Sequence, residues 1–469
     1  MPNPNESFKN ASMEVLAREM SNAYPWYPLR PIDRQPGLFE AHPRLLGASE
    51  IDDVINSIVS KDLRNGVFAN DLRERNQSMI DASGGNISIV LDGRSGSIYE
   101  GSAPTEGYLG DVVEGASVIS ALSDLGANVT VFTPHIGTIT SDESRGIHVE
   151  GLPIDMPHQP HYPWTPQTLK FIHDTNPDSA IFFPLNAALP NLISTNDRGE
   201  ILNIRDLQEI RLAIFGKTGV FDADQERLRT IIKESVWSKR GLHQLQALQV
   251  SLHLLGFDLD AHVQTLPESY LRPSPQAQQH ARALSQELFR DRTSSEDGVP
   301  LFVHIGVATG SHKVDSKYYP MKHWKEVMGQ LSTEGLPISG TIFFIPSDKK
   351  QAQDTMEIAQ IAQANGQRVA YMPEQALASR YGWSLGTFIS FLQQLSAHEG
   401  VVLGCDSMPV HAAAATGNRT VVIGNRAFNP AFYAPRAATM VLPSESLFTS
   451  SIEPSQVVRA VAHSVYNKK

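Results

Sequence analysis

The sequence predicts an α/β protein of two Rossmann-like domains facing a cleft, preceded by a mainly helical N-terminal segment. Three observations predict it. Short apolar runs alternate with helical patterns in two separate stretches of the chain. In the later stretch the runs return at roughly 30-residue intervals, the spacing of strand–helix units in a parallel sheet. The 469 residues and 51.5 kDa also exceed what one hydrophobic core usually fills.

Residues 1–84 read as an N-terminal helical extension. Ile51 to Ile58 and Leu63 to Met79 mix apolar and charged residues, while Pro25, Pro28, Pro31 and Pro36 interrupt the earlier part. Residues 85–292 read as the first domain. Its first strand is Ile87–Leu91, followed by a Gly/Ser-rich loop from Asp92 to Gly110. A helix over Asp111–Leu125 turns Val118, Ile119, Leu122 and Leu125 inward, and Gly126 ends it. Val129–Phe132 and Ile181–Phe183 are further strands. A helical connector spans Asp222 to Leu255, and another helix Gln276 to Arg290. Thr293 to Gly298 is the polar linker to the second domain.

That domain, 299–450, has strands at Leu301–Ile305, Thr341–Ile345, Val369–Tyr371, Val401–Leu403 and Thr420–Ile423. Helices at Lys322–Gln330, Gln351–Ala364 and Leu385–Leu395 fill the gaps. Residues 451–469 hold a C-terminal helix, Ser455–Val465, with Pro454 near its first turn.

Composition narrows the function. A net charge of −11 disfavours nucleic-acid binding, which needs a basic face. A small phosphorylated ligand stays compatible, because local lysines can outweigh the global field. Cys405 is the single cysteine, so no intrachain disulfide forms. The polar N-terminus lacks a signal-peptide core, and no run approaches the ~18 apolar residues of a membrane span. A cytoplasmic protein is expected. Peripheral membrane contact, or a protein partner on the N-terminal extension, is compatible with these features.

In parallel sheets, ligands lie beyond the carboxyl ends of strands. Three segments meet there. Gly306 to Ser311 follows the first strand of the second domain, and Thr309, Gly310 and Ser311 allow close backbone approach to phosphate. Lys313 and Lys317 follow. The second segment is Gly404 to His411, where an apolar run stops at Gly-Cys-Asp-Ser before a small-residue helix. The third is Gly424-Asn425-Arg426. A lysine, hydroxyls and helix-end N–H groups can stabilise a departing diphosphate without a metal. Asp406 can cap the helix near Met408, orient His411 or contact a ligand hydroxyl; Ser407 can donate to phosphate. No second and third metal ligand stands near His411 at a recognisable spacing. In the first domain Asp111 is a natural helix cap and equally a candidate general base. Asp92 is a weaker competitor for that role.

These segments together resemble the ADP-heptose:lipopolysaccharide heptosyltransferases, glycosyltransferase family 9. Asp406-Ser407-Met408-Pro409-Val410-His411 and the following alanines resemble that family's Asp-Ser-Gly-x-x-His-Leu-Ala motif. Lys317-Tyr318-Tyr319-Pro320-Met321-Lys322-His323-Trp324 is similar to its Lys-x-Trp-Pro-x-x-x-Trp/Phe element, and Gly110-Asp111 to its first-helix Gly-Asp. Met408 stands where the family has Gly, Tyr319 where it has Trp, and Asp92 to Leu109 is an insertion.

The resemblance covers roughly residues 86 to 465. It implies a GT-B fold and inverting transfer of heptose or a related sugar from a nucleotide-sugar donor. It implies Asp111 as base, Lys317 at the diphosphate, and Thr309 or Ser311, Asp406 and His411 on the donor. Asn425 is a further candidate for the donor pocket. The acceptor would be a glycan, a lipid-linked core, a peptide or a small molecule. Neither a cofactor nor a metal is expected. A nucleotide-sugar epimerase or hydrolase on the same fold, or a non-catalytic sugar-nucleotide-binding protein, is the alternative.

Overall fold

The computed structural model describes residues 13–23, 26–53, 83–91, 109–153, 166–177, 179–183, 191–193, 269–288, 298–305, 319–379, 382–426, 430–444 and 448–467, with isolated positions between 74 and 81 and between 243 and 257. The chain forms two compact units. One joins residues 1–42 to residues 272–469, and the other is residues 43–271.

The N-terminal residues supply helix α1 (Met13–Ala23) and two short strands, β1 (Leu29–Pro31) and β2 (Leu38–Ala41). The strands are a difference from the expected helical extension. Leu38, Phe39 and Ala41 are buried, but the run is too short to show a period. β2 pairs antiparallel with a strand near the other end of the chain, and β1 pairs with β2.

The 43–271 unit begins its sheet with β3 (Asn86–Val90) and follows it with α2 (Leu109–Asp124), β4 (Asn128–Thr133), β5 (Ile147–Gly151), α3 (Pro166–Thr175), β6 (Ala180–Phe183) and β7 (Asn191–Ile193). The strand order is β5-β4-β3-β6-β7. Only β7 runs antiparallel to its neighbour. α2 packs on β4 through an apolar face that includes Val112, Ala116 and Ile119. After α3, Asn176 Nδ2 donates to the buried Ser88 Oγ (3.0 Å) and to the half-buried Thr130 Oγ1 (3.1 Å) on two neighbouring strands. The expected connector over Asp222–Leu255 lies almost wholly outside the described residues.

The remaining elements are α4 (Pro275–Leu288), β8 (Val299–His304), α5 (Met321–Thr333), β9 (Ile338–Ile345), α6 (Lys349–Ala364), β10 (Val369–Pro373), β11 (Ala378–Ser379), β12 (Gly382–Trp383), α7 (Leu385–Ala397), β13 (Val401–Cys405), α8 (Met408–Ala415), β14 (Arg419–Ile423), α9 (Pro430–Tyr433), β15 (Thr439–Val441) and α10 (Pro454–Tyr466). They build one sheet in the order β1-β2-β15-β14-β13-β8-β9-β10, while β11 and β12 pair separately. From β15 to β10 all neighbours are parallel.

The sequence reading assigned α4 to the first domain. Instead it packs against α7 through Ala277, Ala281 and Ser285, small residues one turn apart that let two helix backbones approach. The change from one unit to the other falls at Arg272 rather than in the polar linker.

Two devices join the chain ends to this sheet. Gly37, at φ +76°, closes the β1–β2 hairpin. Its N–H donates to Glu14 Oε1 (3.0 Å), and its carbonyl accepts from Leu442 N (3.0 Å). A Cβ there would stand 2.4 Å from Gln456 Nε2 and 3.2 Å from the Leu442 carbonyl. Buried Arg419, opening β14, donates Nη1 to the Ser464 and Val465 carbonyls (both 3.0 Å) and Nη2 to the Glu399 carbonyl. It thereby satisfies the last turn of α10.

Gly37→Ala is expected to cost about 1–2 kcal/mol from backbone strain alone, read by urea unfolding. Arg419→Met is expected to cost about 2–4 kcal/mol in the same measurement, because carbonyls now bonded lose a charged donor.

Candidate functional site

The site is assembled where three neighbouring parallel strands end. β8, β13 and β14 lie side by side, with Gly404 opposite His304 and Cys405 opposite Ile423. Their carboxyl ends are therefore level, and the loops at 406–407 and 424–426 leave from one edge of the sheet.

Local packing explains the residue types. A Cβ on Gly404 would lie 2.8 Å from the His304 carbonyl and 3.1 Å from Val410 Cγ1. Glycine is what lets β13 sit this close to β8 and lets α8 fold back over it. Ala412 and Ala413 are fully buried and keep α8 against the sheet. Pro in the first turn of α8 suits a position whose N–H has no intrahelical acceptor.

The residue preceding α8 is Ser407, in extended backbone conformation, and its side chain makes no capping bond. Asp406 stands one residue before that position. Its Oδ1 lies 3.0 Å from His411 Nε2, and the two side chains are 8% and 10% exposed. Of the roles open to Asp406 in the sequence, a bond that orients His411 is present in the geometry. The pair places a carboxylate and an imidazole at the strand end, one helical turn apart.

Tyr433, from α9, faces the same carboxylate. Burial pushes its phenol well above the usual range, the negative charge of Asp406 adds to that, and the bond to Asn425 opposes it. The phenol donates to the Asn425 carbonyl (2.6 Å), which fixes the turn after β14. Asn425 itself is fully buried. Arg426 points inward and donates Nη1 to the Ser444 carbonyl (2.7 Å). Burial lowers its pKa, and neighbouring Tyr27 offsets part of that shift.

His304, at the end of β8, closes the group. Its Nδ1 lies 3.3 Å from Ser407 Oγ, and Ser407 Oγ donates to the Cys405 carbonyl (3.0 Å). Burial pushes the imidazole down to about 4. Sequence reasoning missed both His304 and Tyr433. A lone polar residue ending the apolar run Leu301-Phe302-Val303 was the available signal for His304; Tyr433 gave none.

The structure brings Asp406, Ser407, His411 and Asn425 together in one unit. Asp111 belongs to the other, as the third residue of α2. The helix starts at Leu109, so Asp111 lies within its first turn rather than at the capping position. Thr309, Gly310, Ser311 and Lys317 lie outside the described residues. Tyr319, which replaces the resembled family's Trp, is fully buried, and its hydroxyl donates to the Ile452 carbonyl (3.1 Å). Among the described residues, no group of three His, Cys, Asp or Glu side chains is placed to hold a metal ion, and no helix is long and apolar enough to cross a membrane.

The neutral state of His304 sets a pH dependence. Below about pH 6.5 the unfolded chain binds a proton that the folded chain refuses until about pH 4. Stability is therefore full above that window and falls as pH drops through it. This one group is expected to remove about 2 kcal/mol between pH 7.5 and pH 5. Chemical unfolding at the two pH values checks it, with His304→Phe losing that share of the acid sensitivity.

Among solved structures, the chain is similar to a glycosyl transferase family 9 protein from Veillonella parvula. That similarity is 13% identity over 81% of this chain and 97% of that chain, with a TM-score of 0.49. It is also similar to E. coli ADP-heptose LPS heptosyltransferase II (12% identity, 81% and 98% covered, TM-score 0.37) and to E. coli heptosyltransferase WaaC with ADP (11%, 81% and 99%, 0.38). No curated protein matches the chain. Residues 254–439, which contain every strand-end residue described above, match the family model for glycosyltransferase family 9 (heptosyltransferase). That match covers under half of the chain, and the chain as a whole consists of two α/β units, each built on a largely parallel sheet.

Proposed function

We propose that this protein is an inverting, metal-independent glycosyltransferase that moves a heptose or related sugar from a nucleotide-activated donor to an acceptor hydroxyl. The observation that carries the reading is the buried Asp406–His411 pair at the β13 end, within the stretch that matches the family model. A buried carboxylate bonded to an imidazole, beside the opening turn of a helix, suits a ligand with sugar hydroxyls and a diphosphate. Cytoplasmic location accompanies the proposal, since nucleotide sugars are small soluble anions.

In this reading the acceptor oxygen attacks the anomeric carbon as the bond from that carbon to the diphosphate oxygen breaks. The acceptor proton passes to the Asp111 carboxylate, and the nucleoside diphosphate leaves with its charge held by Lys317 and the α8 end. Thr309, Gly310 and Ser311 line the phosphates, and Asn425 the donor pocket. The acceptor is a glycan, a lipid-linked core, a peptide or a small molecule.

The test is a side-by-side screen of ADP-, UDP- and GDP-sugars for binding and for acceptor-dependent release of nucleoside diphosphate. Free sugar or an epimer formed without any acceptor would replace transfer with hydrolysis or epimerisation. Asp111→Asn is expected to lower turnover at least about tenfold while nucleotide affinity stays within about twofold. Wild-type turnover in that variant removes Asp111 from the base role. Lys317→Ala is expected to weaken nucleoside-diphosphate binding about tenfold, measured by calorimetry.

A further inference from the structure

We propose that His304 is a positioning residue for the donor site, its Nδ1–H donating to Ser407 Oγ so that the serine hydroxyl is turned onto the Cys405 carbonyl and the loop into α8 is held in one shape. The proposal rests on the glycosyltransferase reading for its consequence, but its geometry stands by itself.

Proton counting fixes the direction of the bonds. Ser407 has one hydroxyl hydrogen and, among the described residues, two hydrogen-bond neighbours, the Cys405 carbonyl at 3.0 Å and His304 Nδ1 at 3.3 Å. A carbonyl only accepts, so the hydrogen goes there, and the imidazole must donate from Nδ1. This selects the Nδ1–H tautomer of a neutral ring. Burial, which disfavours the charged ring, agrees. Phe344, at a ring-centroid distance of 5.4 Å, supports the ring from the neighbouring strand β9. The backbone supplies the rest of the constraint, because Gly404 brings the His304 carbonyl within van der Waals contact of β13.

The consequence is a division of labour. The Ser407 hydroxyl is engaged by β8 and β13 and makes no bond to its own helix. Ser407 then serves a phosphate through its backbone N–H at the opening of α8, not through its hydroxyl. His304 acts on the ligand only through that loop.

The tests use the full chain. Long-range ¹⁵N–¹H correlation on histidine-labelled protein, with His304→Asn used to assign the signal, should show an Nδ1–H ring in the wild type and a shift toward Nε2–H in Ser407→Ala. An Nε2–H ring in the wild type overturns the proposal. In binding, ADP, UDP and GDP are each titrated. His304→Phe should weaken the nucleotide that binds best by about tenfold. In a Ser407→Ala background it should weaken it less than twofold, and His304→Asn, which keeps a donor at the Nδ1 position, should stay within threefold of wild type. Equal losses in both backgrounds, or an Asn variant as weak as Phe, would mean a packing role only and also overturn it. If the wild type binds none of the three nucleotides, the functional reading fails while the tautomer result still decides the assignment of His304.

Discussion

The close contact of β13 with β8 at Gly404 is the constraint on which the site depends. No side chain larger than hydrogen fits between that residue, the His304 carbonyl and Val410. The contact keeps the two strands in register and their carboxyl ends level. It also lets α8 begin at once and return over the sheet. His304 and Ser407, which meet across β8 and the loop after β13, flank that contact.

Electrostatics then shape what the packing has arranged. A carboxylate this deep needs a partner, since removing one side of a buried pair leaves an uncompensated charge. Asp406 has His411, and its field raises the neighbouring Tyr433 phenol, keeping that group a hydrogen-bond donor. Across the sheet end the opposite solution holds. Burial pushes the His304 imidazole down and favours its neutral form. A hydrogen-bonded carboxylate–imidazole pair and a second, buried imidazole thus stand at one strand edge, separated by Ser407.

The sheet around the site is finished by parts of the chain remote from it. The edge of β15 would present unpaired backbone groups, and β2 covers it. The hairpin turn is fastened to α1, to the residue after β15 and to α10. Arg419 ties the start of β14 to the end of α10. Tyr319 shows the same logic next to the Lys317 segment, because its hydroxyl reaches the Ile452 carbonyl while its ring packs edge-on against Trp324. A substitution that departs from the resembled motif thereby gains a hydrogen bond inside the core.

Much of this was readable along the chain. The strands at β3, β4, β8, β9, β10, β13 and β14 and the helices between them follow from apolar runs and periodicity, which are local properties. So does the grouping of Asp406, Ser407 and His411, which fall within one short segment. What local reading missed was short or distant. β2 and β15 are only four and three residues long, too brief for a pattern, and each is held between two strand partners, one of them remote in the chain. His304 and Ser407 stand 103 residues apart and meet only through strand register.

The sequence by itself determined most of the order of elements and the grouping of Asp406, Ser407 and His411 at one strand end. The tertiary structure alone decided which partner each of them has: Asp406 with His411, Ser407 with His304, and the N-terminal strands with the sheet of the last two hundred residues. The physical reason is that propensity and period act over a few residues, whereas side-chain partners are chosen by parallel strand order and by which buried polar groups must be satisfied.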